Sequence, residues 1–270
     1  MQGESASLLG PGGPFAREVP GFAPRSSQQI MAESVEEAIA GRQTLIAEAG
    51  TGTGKTFAYL VPALLSGKRV IISTGTRTLQ DQLFHRDLPR VQTVLGARVR
   101  ISLLKGRANY LCLYRLEQTS QDGRFGSREQ VSQLQRMRSW SKQTASGDRA
   151  ELADVAETSP LWPRTTSTIE NCLGSECPFF ADCFVVKARR AAQEADIVVV
   201  NHHLLFADLA MKQEGFGEIL PGAHAFVLDE AHQIPDLAGQ FFSVSLTSRQ
   251  LGDLARDALA ECADVSGALA

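Results

Sequence analysis

With 270 residues, 43% of them hydrophobic and 21% charged, the chain is long enough for one sizeable core or two smaller ones, and its composition excludes disordered and fibrous proteins. A formal net charge of −3 argues against nonspecific electrostatic wrapping of nucleic acid, while leaving room for a local basic groove. The opening text MQGESASLLGPGGPFAREVPGF has neither the basic nor the apolar stretch of a secretory signal, and no run of about 18 apolar residues occurs; the expected location is the cytoplasm, with no membrane partner.

Residues 1–21, rich in Gly, Pro and Ser, read as a flexible leader that Phe15 and Phe22 can pin in part. From Gln28 to Ala40 the apolar positions Ile30, Met31, Val35, Ala38 and Ile39 recur at helical spacing, and Gly41 stands where a C-cap glycine would end the run. Next comes a strand, a loop and a helix: TLIAEA is apolar and extended, GTGTG is a loop, and KTFAYLVPALLSG has helical periodicity. RVIISTG reads as a second buried strand and TLQDQLFHRDL as the helix after it. This alternation predicts an α/β fold with a parallel sheet and crossover helices. DIVVVNH at 196–202 and AFVLDE at 225–230 fit further strands of the same sheet.

Between these strands the character changes. Residues 117–170 are polar, with isolated Trp140 and Trp162, and show no β-α alternation, so about 105–190 reads as an insertion, with the sheet resuming at Asp196. On that division the sheet domain comprises 22–104 and 191–240. After Pro235 the text is helical to the end, and ADVSGALA reads as a break inside a longer chain.

The loop Ala49-Gly50-Thr51-Gly52-Thr53-Gly54-Lys55-Thr56 lies between a predicted strand and a predicted helix. It departs from GxxxxGK[ST] at Ala49 and matches AxxGxGKT. Gly50, Gly52 and Gly54 let successive backbone N–H groups turn toward phosphate oxygens, and the helix N-terminus adds its positive dipole end. In such a loop the lysine, here Lys55, reaches the β and γ phosphates of ATP, and the hydroxyl, here Thr56, meets Mg²⁺. The plainer reading is a glycine-rich structural turn.

Asp229-Glu230-Ala231-His232 follows the apolar run Ala225 to Leu228, so its carboxylates emerge at the C-terminal end of a strand, where open α/β sheets bind ligands. Upstream, the Gln28 side chain presents both a donor and an acceptor, as the adenine edge requires. Gln28 and Arg25 are therefore candidates to read adenine, against the alternative of a solvated helix start.

Four of the five cysteines, Cys112, Cys172, Cys177 and Cys183, fall within one third of the chain. In a cytoplasmic protein such clustering favours metal over disulfides. One isolated and three closely spaced thiols suit a cubane cluster better than the paired knuckles of a zinc ribbon, and Cys177-Pro178 adds to that preference. Zinc and unliganded thiols remain the alternatives. Cys262 lies outside the group and reads as an ordinary helix residue.

The AxxGxGKT loop, the DEAH box and four cysteines between them, the first within Lys105-Gly106-Arg107-Ala108-Asn109-Tyr110-Leu111-Cys112, together resemble the XPD/DinG iron-sulfur helicases. STGTRTLQDQL, LLKGRANYLCL, NCLGSECP and CFVVKARR look most like the YoaA branch of that family. The resemblance implies a RecA-like P-loop NTPase domain of superfamily 2 carrying an inserted, mainly helical domain with a [4Fe-4S] cluster on the four cysteines. It implies, for the whole protein, ATP-driven 5′ to 3′ translocation on single-stranded or forked DNA, with roles and protein partners in repair or replication stress. In that reading Asp229 holds Mg²⁺ with Thr56, Glu230 polarises the attacking water, and His232 couples the nucleotide to the strand-binding surface. Thr76, Arg77 and Gln80 would contact the DNA backbone, and Lys105, Arg107 and Tyr110 would add charge and a stacking surface; a solvated basic turn with the tyrosine packed inside is the alternative for these three. Residues 241–270 would begin an arch-like helical insertion, and a second motor domain would be needed for unwinding. Two other readings compete: a different P-loop enzyme such as a small-molecule kinase, and a redox-sensing DNA-binding module with a vestigial nucleotide site.

Overall fold

The computed structural model describes residues 3–50, 52–213, 215, 217–243 and 247–261; Thr51 and Cys262 lie outside them. Helices α1 (Glu4–Leu8), α2 (Pro14–Glu18), α3 (Ser26–Gly41) and α4 (Lys55–Leu65) precede strand β1 (Val70–Thr74). Then come α5 (Arg77–Gln82), a π-helical turn Leu83–Asp87, α6 (Leu88–Leu95) and β2 (Ile101–Leu103). Helices α7 (Leu113–Asp122), α8 (Arg128–Ser141), α9 (Trp162–Thr165) and α10 (Phe184–Glu194) lead to β3 (Ile197–Asn201). The chain continues through α11 (His202–Gln213), β4 (Ala225–Leu228), α12 (Ile234–Phe242) and α13 (Ser248–Glu261).

The strands form one parallel sheet in the order β2-β3-β1-β4, with Val70 opposite both Ile197 and Ala225. Each residue of β1 is buried, as expected for a central strand covered on both faces. Successive side chains serve opposite faces. Val70, Ile72, Ile197 and Val199 join the core under α3, α4 and α6, whereas Ile71, Val198 and Val200 join a separate core with Leu204 and Leu205 of α11. Helix α4 is buried without interruption from Ala58 to Leu64, so it is an interior helix rather than an amphipathic surface one.

A third core is built entirely from residues between 110 and 185, including Leu116, Leu134, Met137, Leu161, Trp162 and Phe184. Trp162 is 1% exposed, meets Trp140 edge to face and donates its indole N–H to the Ala156 carbonyl at 3.1 Å. The polar stretch therefore has an apolar centre of its own.

Three sequence expectations are corrected here. TLIAEA is not a strand: residues 43–50 leave α3 through Arg42 in the left-handed region and run without ladder partners, with Ile46 93% exposed. An extended apolar run becomes a strand only when a neighbour takes its backbone hydrogen bonds. The leader is ordered over Glu4–Glu18 in two short helices, because Leu9, Phe15 and Val19 are buried in the main core. Helix α3 takes its left-handed C-cap at Arg42, one residue beyond Gly41. The Phe15 ring lies 5.9 Å from Phe22 and 5.6 Å from Phe57. Phe15→Ala is therefore expected to destabilise the fold by about 3–5 kcal/mol, read as a lower urea midpoint at unchanged slope.

Candidate nucleotide site and cysteine cluster

The loop before α4 and the end of β4 meet at the C-terminal edge of the sheet. Gly52 and Gly54 both have positive φ, 76° and 85°, which lets the backbone turn into the helix start at Lys55. Thr53 Oγ1 donates to the Gly50 carbonyl at 2.8 Å and closes the turn. Gly54 is fixed as glycine twice over: besides its φ, a Cβ there would overlap the Gln28 amide. Gln28 itself is 2% exposed and donates to the Gly54 carbonyl at 2.9 Å. In place of the expected adenine contact, its side chain braces the phosphate loop from inside. Arg25 is exposed at the N-cap position of α3.

Lys55 Nζ reaches Glu230 Oε1 at 3.7 Å, and His232 Nδ1 lies 3.4 Å from Glu230 Oε2. Glu230 adopts φ 56°, a left-handed conformation that costs a side-chain-bearing residue of order 1 kcal/mol. Its N–H bonds to Asp229 Oδ1 at 3.1 Å, which offsets part of that strain. The turn aims the two neighbouring carboxylates into the same space beside the loop.

Asp229 is held from several directions. Its N–H donates to the Ser73 carbonyl at 2.9 Å, and the buried Tyr59 phenol on α4 donates to Oδ2 at 3.2 Å. Burial pushes the Asp229 carboxyl pKa up, against the Tyr59 hydrogen bond that lowers it. Burial also raises the Tyr59 phenol well above its usual value, with the Asp229 charge adding to the effect, while the Thr56 hydroxyl opposes it. Thr56 and Asp229 thus flank one phenol. A half-buried carboxylate and a hydroxyl beside the glycine loop form a hard oxygen donor set, which fits Mg²⁺.

His202, at the start of α11, makes two specific connections. The ring is buried, with Nδ1 2.7 Å from Ser73 Oγ and Nε2 2.8 Å from the Asp229 carbonyl. The carbonyl can only accept, so Nε2 carries the proton and Nδ1 accepts from the Ser73 hydroxyl. Burial lowers the His202 pKa, which keeps the ring neutral in this arrangement. Tyr59, Ser73 and His202 are the site residues that sequence reasoning missed, because their contacts with the Asp229 end of β4 join segments distant in sequence.

The residues expected on the DNA face divide. Thr76 and Arg77 are exposed at the start of α5, where Thr76 Oγ1 accepts from the Leu79 N–H and Arg77 Nη1 donates to Asn109 at 3.1 Å. Gln80 is fully buried and donates to the carbonyls of Leu104 and Val199 at 2.9 and 3.3 Å; it ties α5 to the sheet instead of facing a ligand. The Lys105 side chain is 2% exposed and its ammonium contacts Asp81 and Asp148, each at 2.6 Å. Tyr110 is buried too, accepting from the Lys105 N–H at 3.0 Å, so it offers no stacking face. Arg107 is half-buried, and its Nε–H has no partner.

The thiols of Cys112, Cys172, Cys177 and Cys183 are uncombined and half-buried. Cys112 and Cys183 occupy the N-cap positions of α7 and α10. Burial raises the Cys112 pKa against the backbone N–H groups of Arg115 and Tyr114, with Cys183 and Cys177 adding to the rise. The Arg189 guanidinium is lowered by burial and by Arg107, while Cys172 and Cys183 act on it in the opposite sense. Among the described residues no three His, Cys, Asp or Glu side chains close around a single metal position.

Residues 28–142 match the DEAD/DEAH box helicase family. The chain is 51% identical over 256 residues to the ATP-dependent DNA helicase YoaA of Haemophilus influenzae, covering 95% of this chain and 40% of that protein. It is 55% identical over 247 residues to the Escherichia coli protein of the same name, covering 92% and 39%. To the ATP-dependent helicase DinG of Mycobacterium tuberculosis it is 37% identical over 255 residues, covering 86% and 38%. The chain spans about two fifths of the length of these relatives. With its phosphate loop and DEAH box brought to one edge of a parallel sheet, the chain belongs to the DinG/XPD-type family of superfamily 2 helicases, beside the YoaA proteins.

Proposed function

We propose that this chain is the nucleotide-binding part of an ATP-dependent DNA helicase that translocates 5′ to 3′ on single-stranded or forked DNA in the cytoplasm, in repair or tolerance of replication stress. The observation that carries the reading is the meeting of Lys55 and Glu230 at 3.7 Å, with Asp229 alongside, beside the loop that Gly52 and Gly54 turn into the start of α4. Backbone amides from Ala49 to Gly54 and the Lys55 ammonium hold the nucleotide's phosphates. Thr56 and Asp229 would hold Mg²⁺, which supplies charge neutralisation between the phosphates. The Glu230 carboxylate orients and polarises water, and His232, 3.4 Å from it, is placed to report the state of that carboxylate to the surface. Thr76 and Arg77 would touch the DNA backbone, with Arg107 beside them, a mode of contact that permits movement on any sequence.

The four cysteines would hold a [4Fe-4S] cluster, which supplies a rigid cross-link for the third core and a redox-active centre. Four half-buried free thiols, two of them at the starts of α7 and α10, support this donor set. Iron and acid-labile sulfide near four each per chain are expected after anaerobic purification, with both lost in Cys172→Ser; zinc in their place would remove the cluster from the account. The helicase reading is tested by unwinding of a forked duplex by the whole protein. Unwinding that requires ATP and disappears in Lys55→Ala supports the motor, whereas forked-DNA binding indifferent to ATP and to Lys55 would support the redox-sensing module instead.

A further inference from the structure

Asp229 is fastened at both ends by residues that no part of the phosphate loop or the DEAH box contains. Its carboxylate accepts from Tyr59 at 3.2 Å and its backbone carbonyl accepts from His202 at 2.8 Å, while the other nitrogen of that imidazole meets Ser73 Oγ at 2.7 Å. Ser73 lies on β1 directly opposite Leu228 in β4, and its own carbonyl takes the Asp229 N–H. The imidazole therefore ties the end of β4 to β1 from the start of α11, 27 residues before Asp229 in sequence. Tyr59 comes from one turn inside α4 and stands 170 residues away. The phenol oxygen is the only polar atom of that buried side chain.

We infer that Tyr59 and His202 are positioning residues that fix the Asp229 carboxylate for its cation: His202 sets where the strand end lies, and Tyr59 sets the rotation of the carboxylate against Thr56. This rests on the reading of Asp229 as a metal ligand. The physical basis is the one by which outer groups orient ligands at metal sites: a carboxylate free to rotate must be ordered at the moment of binding, and a hydrogen bond already in place removes that requirement. A residue serving only to fill space would not supply that order.

The test measures Mn²⁺ affinity by electron paramagnetic resonance on this chain with ATP present, beside ATP affinity in EDTA. Tyr59→Phe keeps the ring and removes one hydroxyl. It is expected to weaken Mn²⁺ binding by about tenfold or more and to leave metal-free ATP binding within about twofold. His202→Ala is expected to weaken Mn²⁺ binding similarly, and His202→Gln, whose amide can still donate to the Asp229 carbonyl, should recover part of it. Circular dichroism melts identify any variant that fails to fold, and Tyr59→Phe decides the question if the His202 variants do. Full Mn²⁺ affinity in Tyr59→Phe, with affinity lost in Asp229→Asn, overturns the inference alone. Unchanged affinity in Asp229→Asn overturns the reading of Asp229 on which it rests.

Discussion

Lys105→Met is expected to destabilise the chain by about 3 kcal/mol, visible as a lower urea midpoint. The wild-type ammonium is enclosed, with contacts of 2.6 Å to Asp81 on α5 and to Asp148 beside the third core. Removing it leaves two carboxylates facing each other across a site they share. The Asp148 side chain is 11% exposed and cannot recover its hydration, whereas Asp81, at 32%, can do so in part, which keeps the expected loss at the lower end for a broken buried pair. Lys105→Met combined with Asp148→Asn should recover part of the loss, because one of the stranded charges is then gone. A fully additive double variant would mean that the two residues do not interact.

Lys55→Ala is expected to lower ATP turnover by the whole protein at least about 100-fold, the scale for removing one preorganised charge from a phosphate-handling site. Stability should change by less than about 1 kcal/mol, since the Lys55–Glu230 contact is 3.7 Å long and both side chains are about one third exposed. The contrast between the two lysines separates function from architecture: one is solvent-reachable at the mouth of a glycine loop, and the other is interior and neutralised. Phosphate release and urea denaturation, measured on both variants, should give opposite patterns.

The sequence showed that contrast only in part. Strands β1, β3 and β4 were legible because each is a short, continuous apolar run, and α4 because helical periodicity starts right after glycines. The glycine loop before α4 and the acidic pair after β4 were legible as local patterns, and the structure brings Lys55 and Glu230 together from them. Burial of polar side chains was not. Gln28, Gln80, Lys105 and Tyr110 all looked available to ligands, yet each is inside the protein: the first three hold partners distant in sequence, and the Tyr110 hydroxyl accepts from the Lys105 N–H. Strand β2, three residues long, carries too few side chains to show a period. The TLIAEA segment failed for the complementary reason: its text is that of a strand, and pairing is decided by neighbours it does not encode. The contacts of Tyr59 and His202 with Asp229 belong to the same class, since they exist only once α4, β1 and β4 have been brought together.

On the proposed function, the Lys55, Thr56, Asp229 and Glu230 arrangement turns over ATP in response to DNA. The most direct measurement is the rate of phosphate release from ATP by the whole protein as single-stranded DNA is titrated in. The account predicts a slow basal rate that rises at least about tenfold to a plateau and is absent in Glu230→Gln, the loss expected when a carboxylate that polarises water is replaced. A rate unaffected by DNA, or one that survives Glu230→Gln, would contradict it.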